Sequence, residues 1–408
     1  MLNIIWVSFF LIAFIVAAGQ SLFLGQPQIW STLTTAIFAS AKMAFTISLN
    51  LTGMLCLWLG LLKIAEKSGL TNVLAKGVRP LFKNIMPDVP ENSPAMGSMI
   101  MNMAANVLGL DNAATPMGLK AMEQLQELNP RKDRASNAQV LFMVINSSAV
   151  TLIPITILMY RAELGALNPA AVFIPILLAT SCSTLVGFLS VAFVQKLHVF
   201  NRVVLGYLLG FFSVVGLTAC YFQSLPAEER LVASAACGNF LLFLIIIVFL
   251  VSGLIKRLNV YETFITGAKE GFDIAVRIIP YLVAMLVAIA VFRASGAMDW
   301  LIVGFEKFFA FLGMNTDFVA ALPTAVLKPL SGSGARAMML ETMTTYGVDS
   351  FPAFVSSVVQ GSTETTFYVL AVYFGAVKIT KVGAALLCAL LADFAGIVAA
   401  IGLSYVFY

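Results

Sequence analysis

Long apolar runs alternate along this chain with short polar interruptions, and the interruptions carry most of the information. Residues 2–24, 45–65, 170–195, 203–224 and 231–255 are apolar runs of about 20 residues or more, the length an α-helix needs to cross a hydrocarbon core. Residues 31–44 are mixed, contain Lys42 and read as an interfacial stretch. Two further runs are interrupted from within. Residues 137–160 contain Asn146-Ser-Ser-Ala-Val-Thr151, and a run in the second half contains Gln360-Gly-Ser-Thr-Glu-Thr-Thr366. Each is preceded by a second polar break, Asp111–Pro116 in the first half and Ser331–Arg336 in the second. Before Asp111, residues 96–109 are apolar but number only about 14, too few to cross. With the amphipathic helix that runs to about 128, they read as a re-entrant hairpin. Residues 315–346 read as its counterpart.

Composition sets the solvent. The chain has 408 residues, 60% hydrophobic and 11% charged, against about 25% charged in a soluble domain. It reads as a multi-pass protein of the cell inner membrane, with room for about ten spans. The first run lacks the basic leader of a cleaved signal peptide, so it reads as a retained span. A net charge of +4 fits basic cytoplasmic loops and argues against nucleic acid as a partner. The five cysteines are scattered without a CxxC, and there is one histidine, His198. No metal site is expected.

The basic residues fix a topology. Lys63 to Lys83, Arg131–Arg134, Lys196 with Arg202, Lys256 with Arg257, and Lys378 with Lys381 are assigned to the cytoplasm, as is the N-terminus. Arg161–Asn168 and Glu228–Arg230 are then external turns. Ala41-Lys42 and Ser68-Gly69 recur as Ala268-Lys269 and Ser295-Gly296 at an offset of 227, and Ser148 and Thr151 recur as Ser362 and Thr365 at 214. Two linking spans leave the second copy upside down relative to the first. The expected fold is all-α and polytopic: two inverted-topology repeats with re-entrant helical hairpins and broken transmembrane helices, a transporter arrangement. The units are 1–200, 201–255 with two linking helices, and 256–408.

Irregular backbone cannot face lipid, because its unpaired N–H and C=O groups would each cost several kcal/mol. The breaks must therefore face protein or a hydrated cavity, where half-helix ends bind charged and polar groups. The candidate substrate-binding residues are Asn106, Asp111, Asn112, Thr115, Asn146, Ser147, Ser148 and Thr151 in the first half. In the second they are Ser331, Ser333, Arg336, Gln360, Ser362, Thr363, Glu364 and Thr365. Asn and Gln both donate and accept, which suits a base, sugar or amide. An acid inside a membrane segment is expensive, so Glu364 and Asp111 are candidates for a coupling Na⁺ or H⁺. Plainer readings stand beside these. Small polar residues also pack membrane helices closely. Asp111 fits the cap of a helix starting near Thr115, and Arg336 fits a pair with Glu341. No nucleophile–base pair or other cofactor chemistry emerges, so an enzyme is not expected.

The motifs carry a resemblance. Asn3-Ile-Ile-Trp6, Asn106-Val-Leu-Gly-Leu-Asp-Asn-Ala-Ala-Thr-Pro116 and Gly118-Leu-Lys-Ala-Met122 resemble the spore maturation protein A family over about 1–200. Lys328-Pro-Leu-Ser-Gly-Ser-Gly-Ala-Arg336 and Gln360–Thr366 resemble the spore maturation protein B family over about 256–408. Both are similar to the Gate, or nucleoside-recognition, membrane family, which shares its layout with concentrative nucleoside transporters and with the membrane region of the ferrous-iron transporter B. No GxxxxGK[ST] is present, unlike the full iron transporter. The breaks and repeats make the leading expectation a secondary transporter working by alternating access, for a small polar, nucleoside-like solute held at midplane, with the lipid bilayer as a partner and a second copy of the chain as a candidate one. The alternatives are a non-transporting gate or scaffold in a spore-maturation-like complex, and metal-ion permeation.

Overall fold

A computed structural model describes residues 2–90, 92–107, 111–152, 154–197 and 201–408. Among these the chain is helical throughout, with no strand. The first half runs α1 (Leu2–Phe23), α2 (Ile29–Lys67), α3 (Leu70–Ile85), α4 (Pro94–Val107), α5 (Asp111–Leu128), α6 (Asn137–Ser147), α7 (Ile155–Glu163) and α8 (Phe173–Gln195). Helices α9 (Arg202–Ser224) and α10 (Ala227–Ile255) follow. The second half runs α11 (Val260–Ala294), α12 (Ala297–Phe311), α13 (Leu322–Leu327), α14 (Gly332–Tyr346), α15 (Phe351–Ser362), α16 (Thr366–Ala376) and α17 (Ala385–Phe407). Seven of these helices are long and apolar enough to cross a membrane. Fewer than ten qualify because the remaining apolar sequence is divided into half-helices.

From α2 to α8 and from α11 to α17 the order of elements is the same: a long helix, a short one, a hairpin, a broken helix and a full span. The junction from long to short helix shows the correspondence at atomic level. Ser68 and Ser295 are buried, and Gly69 and Gly296 follow with φ of 77° and 81°. That left-handed conformation is open to glycine at little cost. Residues 31–44 do not form a separate interfacial stretch. They continue into α2, whose 39 residues span about 58 Å.

The longest helices, α2 and α11, cross antiparallel. Gly267 and Gly271 lie one turn apart on α11 and let it touch backbone. A Cβ on Gly267 would collide with the Leu59 carbonyl, and one on Gly271 would stand 2.7 Å from the Leu55 carbonyl and 2.8 Å from Cys56 Cα. Lys63 and Glu270 pair beside the contact at 3.0 Å.

Two sets of loops gather at opposite ends. At one, Lys381 Nζ meets Asp133 Oδ2 at 2.7 Å and the Ala135 amide donates to the Lys381 carbonyl at 3.0 Å. The Lys381 ammonium holds the Asp133 carboxyl below its usual range. At the other, Arg161 donates to the Val348 carbonyl at 3.1 Å and to Asp349 Oδ1 at 3.2 Å, and the Tyr408 hydroxyl donates to the Asp349 carbonyl at 2.9 Å. Arg161 is not a solvated turn residue: it is 2% exposed. Its planar fork lets several acceptors share one buried charge.

The apolar core forms two main lobes. Residues 140–145 of α6 and 369–374 of α16 belong to one, while 155–160 of α7 and 353–359 of α15 belong to the other. Both broken helices change lobe at their breaks, so the polar residues of the breaks lie in a layer between the lobes.

Candidate functional site

Side-chain caps start three of the half-helices, α6, α14 and α15. Ser136 and Gln139 form a reciprocal capping box at the head of α6, satisfying two otherwise unpaired amides. Ser350 caps α15, which has Pro352 in its first turn. Ser331 Oγ accepts from the Gly334 amide at 3.0 Å and caps α14. At the hairpins the polar stretches are therefore helix starts rather than breaks. Helix α5 already begins at Asp111, so Asp111 does not cap a helix starting near Thr115. Likewise Ser333 and Arg336 lie within α14. Short polar side chains favour the first turn of a helix, which makes a helix start look like an interruption. The first broken helix stops at Ser147 and resumes at Ile155, and the second stops at Ser362 and resumes at Thr366.

Backbone bonds tie these points together. The Leu152 amide donates to the Val107 carbonyl at 3.2 Å, joining the end of α4 to the first break. The Glu364 amide donates to the Ser147 carbonyl at 2.9 Å, joining the two breaks. The Phe367 amide donates to the Pro329 carbonyl at 3.0 Å, joining the second break to the α13–α14 tip. Gly332 permits that last approach, since a Cβ there would stand 2.6 Å from Thr365 Oγ1. Eight half-helix ends thus converge, and their unpaired amides and carbonyls supply partial charges of both signs.

Two cavities open at the junction. One, of about 120 Å³, is lined by Asn106, Thr151, Tyr160, Lys328, Arg336, Gln360, Thr363 and Glu364 among others. The second, of about 280 Å³, is lined by Asn106, Thr115, Asn146, Glu364, Tyr368 and Tyr373 together with apolar residues. Asn106 and Glu364 belong to both and form the partition between them. Glu364 is exposed, whereas Thr363 and Thr365 on either side of it are buried. Arg336 does not pair with Glu341, which bonds Arg293 instead. The Arg336 guanidinium carbon stands 6.0 Å from the centroid of the Tyr160 ring, a cation–π arrangement. Its Nε has no partner, nor has Gln360 Oε1.

An amide relay backs the second cavity. Asn106 Nδ2 donates to Asn146 Oδ1 at 2.7 Å, and Asn102 Nδ2 donates to the Ala114 carbonyl at 2.7 Å and to the Tyr373 hydroxyl at 3.3 Å. The Tyr373 hydroxyl donates on to Asn146 Oδ1 at 3.4 Å. Gly118 leaves room for it, because a Cβ there would collide with that hydroxyl.

The remaining candidates stand behind the cavities. Ser147 and Ser148 donate to the Val144 carbonyl at 2.9 and 2.8 Å, and Ser362 donates to the Val359 carbonyl at 2.8 Å. Ser148 is further held by Thr184, which donates to its carbonyl. Ser331 and Ser333 bond each other, and Thr365 is buried against Gly332. The side chains of Asp111 and Asn112 lie outside the described residues. Asn102, Tyr160, Tyr368 and Tyr373 were not singled out from sequence. Asn102 was legible in principle, since it precedes Asn106 by one helical turn. Among the described residues no three His, Cys, Asp or Glu side chains cluster as metal ligands would.

Fold and site together define a polytopic helical membrane protein whose polar centre is assembled from interrupted helices. The chain belongs to the Gate family, described as nucleoside recognition, which matches residues 48–167 and 275–380. It is 42% identical over 183 residues to spore maturation protein A of Bacillus subtilis (strain 168), covering 45% of this chain and 90% of that protein. It is 50% identical over 152 residues to spore maturation protein B of the same strain, covering 37% of this chain and 84% of that protein. No solved structure matches it significantly.

Proposed function

We propose that the chain is a secondary transporter in which a small polar, nucleoside-like solute binds between the two cavities and passes the partition formed by Asn106 and Glu364. The observation that carries this reading is that partition: two hydrated-size spaces meet at one amide and one carboxylate. Neither space alone reaches the roughly 300–1,000 Å³ of sites for organic ligands, but the two joined across Glu364 do. Tyr160, Tyr368 and Tyr373 offer faces for a planar ring, and Asn106, Asn146 and Gln360 offer paired donors and acceptors. Glu364 suits sugar hydroxyls, and Arg336 with its unpartnered Nε suits a carbonyl or an anionic group. Loop grouping at the two ends supports inverted repeats, with α4–α5 opening on the Asp133–Lys381 end and α13–α14 on the Arg161–Asp349 end. Alternating access then amounts to opening one lobe at a time.

The test is solute uptake by the purified protein in liposomes. The panel covers nucleosides, nucleobases, amino acids and organic anions, with thermal stabilisation as a binding readout. A transported solute should be taken up at least ~10-fold more slowly by Glu364→Gln and Asn106→Ala, roughly the effect of losing one charged hydrogen bond. If no panel member is taken up or stabilises the protein, and both variants melt like the parent, the transport reading fails and a gate or scaffold role replaces it.

A further inference from the structure

A cavity of about 800 Å³ lies apart from the polar centre, beside the Asp133–Lys381 pair. It is framed by the Asp88–Val89 turn before α4, the end of α5, the head of α6, the end of α8 and the head of α17. Helices α8 and α17 are both long and apolar enough to cross a membrane. Gln195, the last residue of α8, lines the cavity, and so does Ala384, which stands just before α17. The cavity therefore sits at the depth where hydrocarbon gives way to lipid headgroups. Its apolar lining includes Leu128, Val191 and Val194. Val194 is 49% exposed and its neighbour Phe193 is 87% exposed, so this wall continues onto the outer surface of α8.

Three cations, Arg131, Arg134 and Lys196, line the same cavity, against one acid, Asp88, among the described residues. None of the three forms an ion pair among the described residues, and the acid between the two arginines, Asp133, is taken by Lys381. The backbone that carries them is fixed. Asn129, which is 4% exposed, accepts from the Arg131 amide at 3.1 Å and donates to the Arg134 carbonyl at 2.8 Å. Lys196 ends α8 in the left-handed conformation, with φ of 54°. Glycine adopts that backbone at less cost, so a cation stands where the backbone favours glycine. At the head of α6 the capping box occupies the Ser136 and Gln139 amides. Helix geometry leaves those of Asn137 and Ala138 without intrahelical acceptors, and both residues line the cavity.

We infer that this cavity binds the phosphate headgroup of an anionic phospholipid, whose apolar body rests on the Val191 and Val194 wall. Guanidinium forks and a helix N-terminus both suit phosphate oxygens. Basic pockets between membrane helices at headgroup depth take anionic lipids. A free phosphate would satisfy the cations and leave the apolar wall uncovered, which favours the lipid. Such a lipid would tie the base of the α4–α5 hairpin to α8 and α17. The inference stands apart from the transport reading.

The test uses the full chain purified in neutral detergent and melted with increasing phosphatidylglycerol, phosphatidylcholine or inorganic phosphate. The melting temperature should climb and saturate with phosphatidylglycerol alone. Arg131→Gln and Arg134→Gln should each raise the half-saturating concentration at least ~10-fold, the scale of one hydrogen bond to a charged group. Lys196→Gly relieves the left-handed backbone while it removes a charge. Without lipid it should melt no lower than the parent, yet it should need at least ~10-fold more phosphatidylglycerol. Arg257→Gly is the control: Arg257 follows α10 with the same φ of 54° and does not line the cavity. It should shift the half-saturating concentration by less than ~2-fold. Equal stabilisation by phosphatidylcholine, or an equal loss in Arg257→Gly, would reduce the effect to general attraction for lipid and overturn the site. Inorganic phosphate acting at the same concentrations as phosphatidylglycerol would overturn it too, the ligand then being a soluble phosphate. A phosphatidylglycerol response in a protein that takes up no solute would retire the transport reading and leave this site standing.

Discussion

At the scale of single residues, what was legible was whatever stood out chemically from its neighbours. Glu364 is an acid in an apolar run, and the structure places it in both cavity walls. Asn102 and Tyr373 were hidden for the opposite reason. One lies in a methionine-rich run and the other among aromatic and aliphatic residues, and their hydrogen bond joins positions 271 apart in sequence. Arg161 misled because a cation beside a loop reads as solvated. Its burial makes a sharp prediction. Asp349→Ala removes the carboxylate paired with it and also an acceptor for the Leu167 amide. The loss should be roughly 1–3 kcal/mol, below the 3–5 kcal/mol of a fully buried pair because Asp349 is itself 39% exposed. A thermal melt in detergent checks it, and a drop no larger than that of Asp317→Ala would mean that the carbonyl and hydroxyl partners of Arg161 suffice.

At the scale of elements, hydropathy found the continuous helices and polarity found the interruptions, but neither fixed which side of an interruption a polar residue occupies. Asp111 and Ser333 read as breaks and are first-turn helix residues, because a helix start and a gap draw on the same short polar side chains; Arg336 follows one turn into α14. The α2–α11 crossing was also readable, as Gly267-x-x-x-Gly271 is the small-residue spacing that lets membrane helices touch. It passed unnoticed because its partner surface, Leu55 to Lys63, holds no matching signal beyond Gly60. Gly271→Val drives a branched side chain against the Leu55 and Cys56 backbone. It should destabilise the protein by about 2–3 kcal/mol or more, since backbone yields less than side chains do. Gly77→Val, with nothing within 4 Å, is the control, and equal melting of the two would remove close packing as the reason for these glycines.

At the scale of the whole molecule, the shared order of elements in the two halves was legible because small motifs recur in the same order, at offsets of 227 and then 214. The Gly69 and Gly296 turns show why one of these motifs recurs: each needs a backbone few other residues adopt. What sequence could not give was how the halves interlock, since that depends on contacts with no local trace. The loop grouping yields a topological expectation. Impermeant labels on cysteines at Lys132 and Thr380 should react from one side of the membrane, and labels at Glu163 and Asp349 from the other. Labelling of Lys132 and Asp349 from the same side would break the arrangement. The broken helices carry a final consequence. Helix α6 stacks on α16, through Phe142 and Tyr373 at 5.9 Å, while α7 meets α15, through Arg161 and Ser357 at 3.4 Å. Each lobe is thus stitched from one piece of either half, and neither half owns a complete one. If the chain were severed between α9 and α10, each fragment would inherit two incomplete halves of a door, and only equal supply of both would restore either. Joining the halves in one polypeptide makes that dosage one to one in every molecule synthesised.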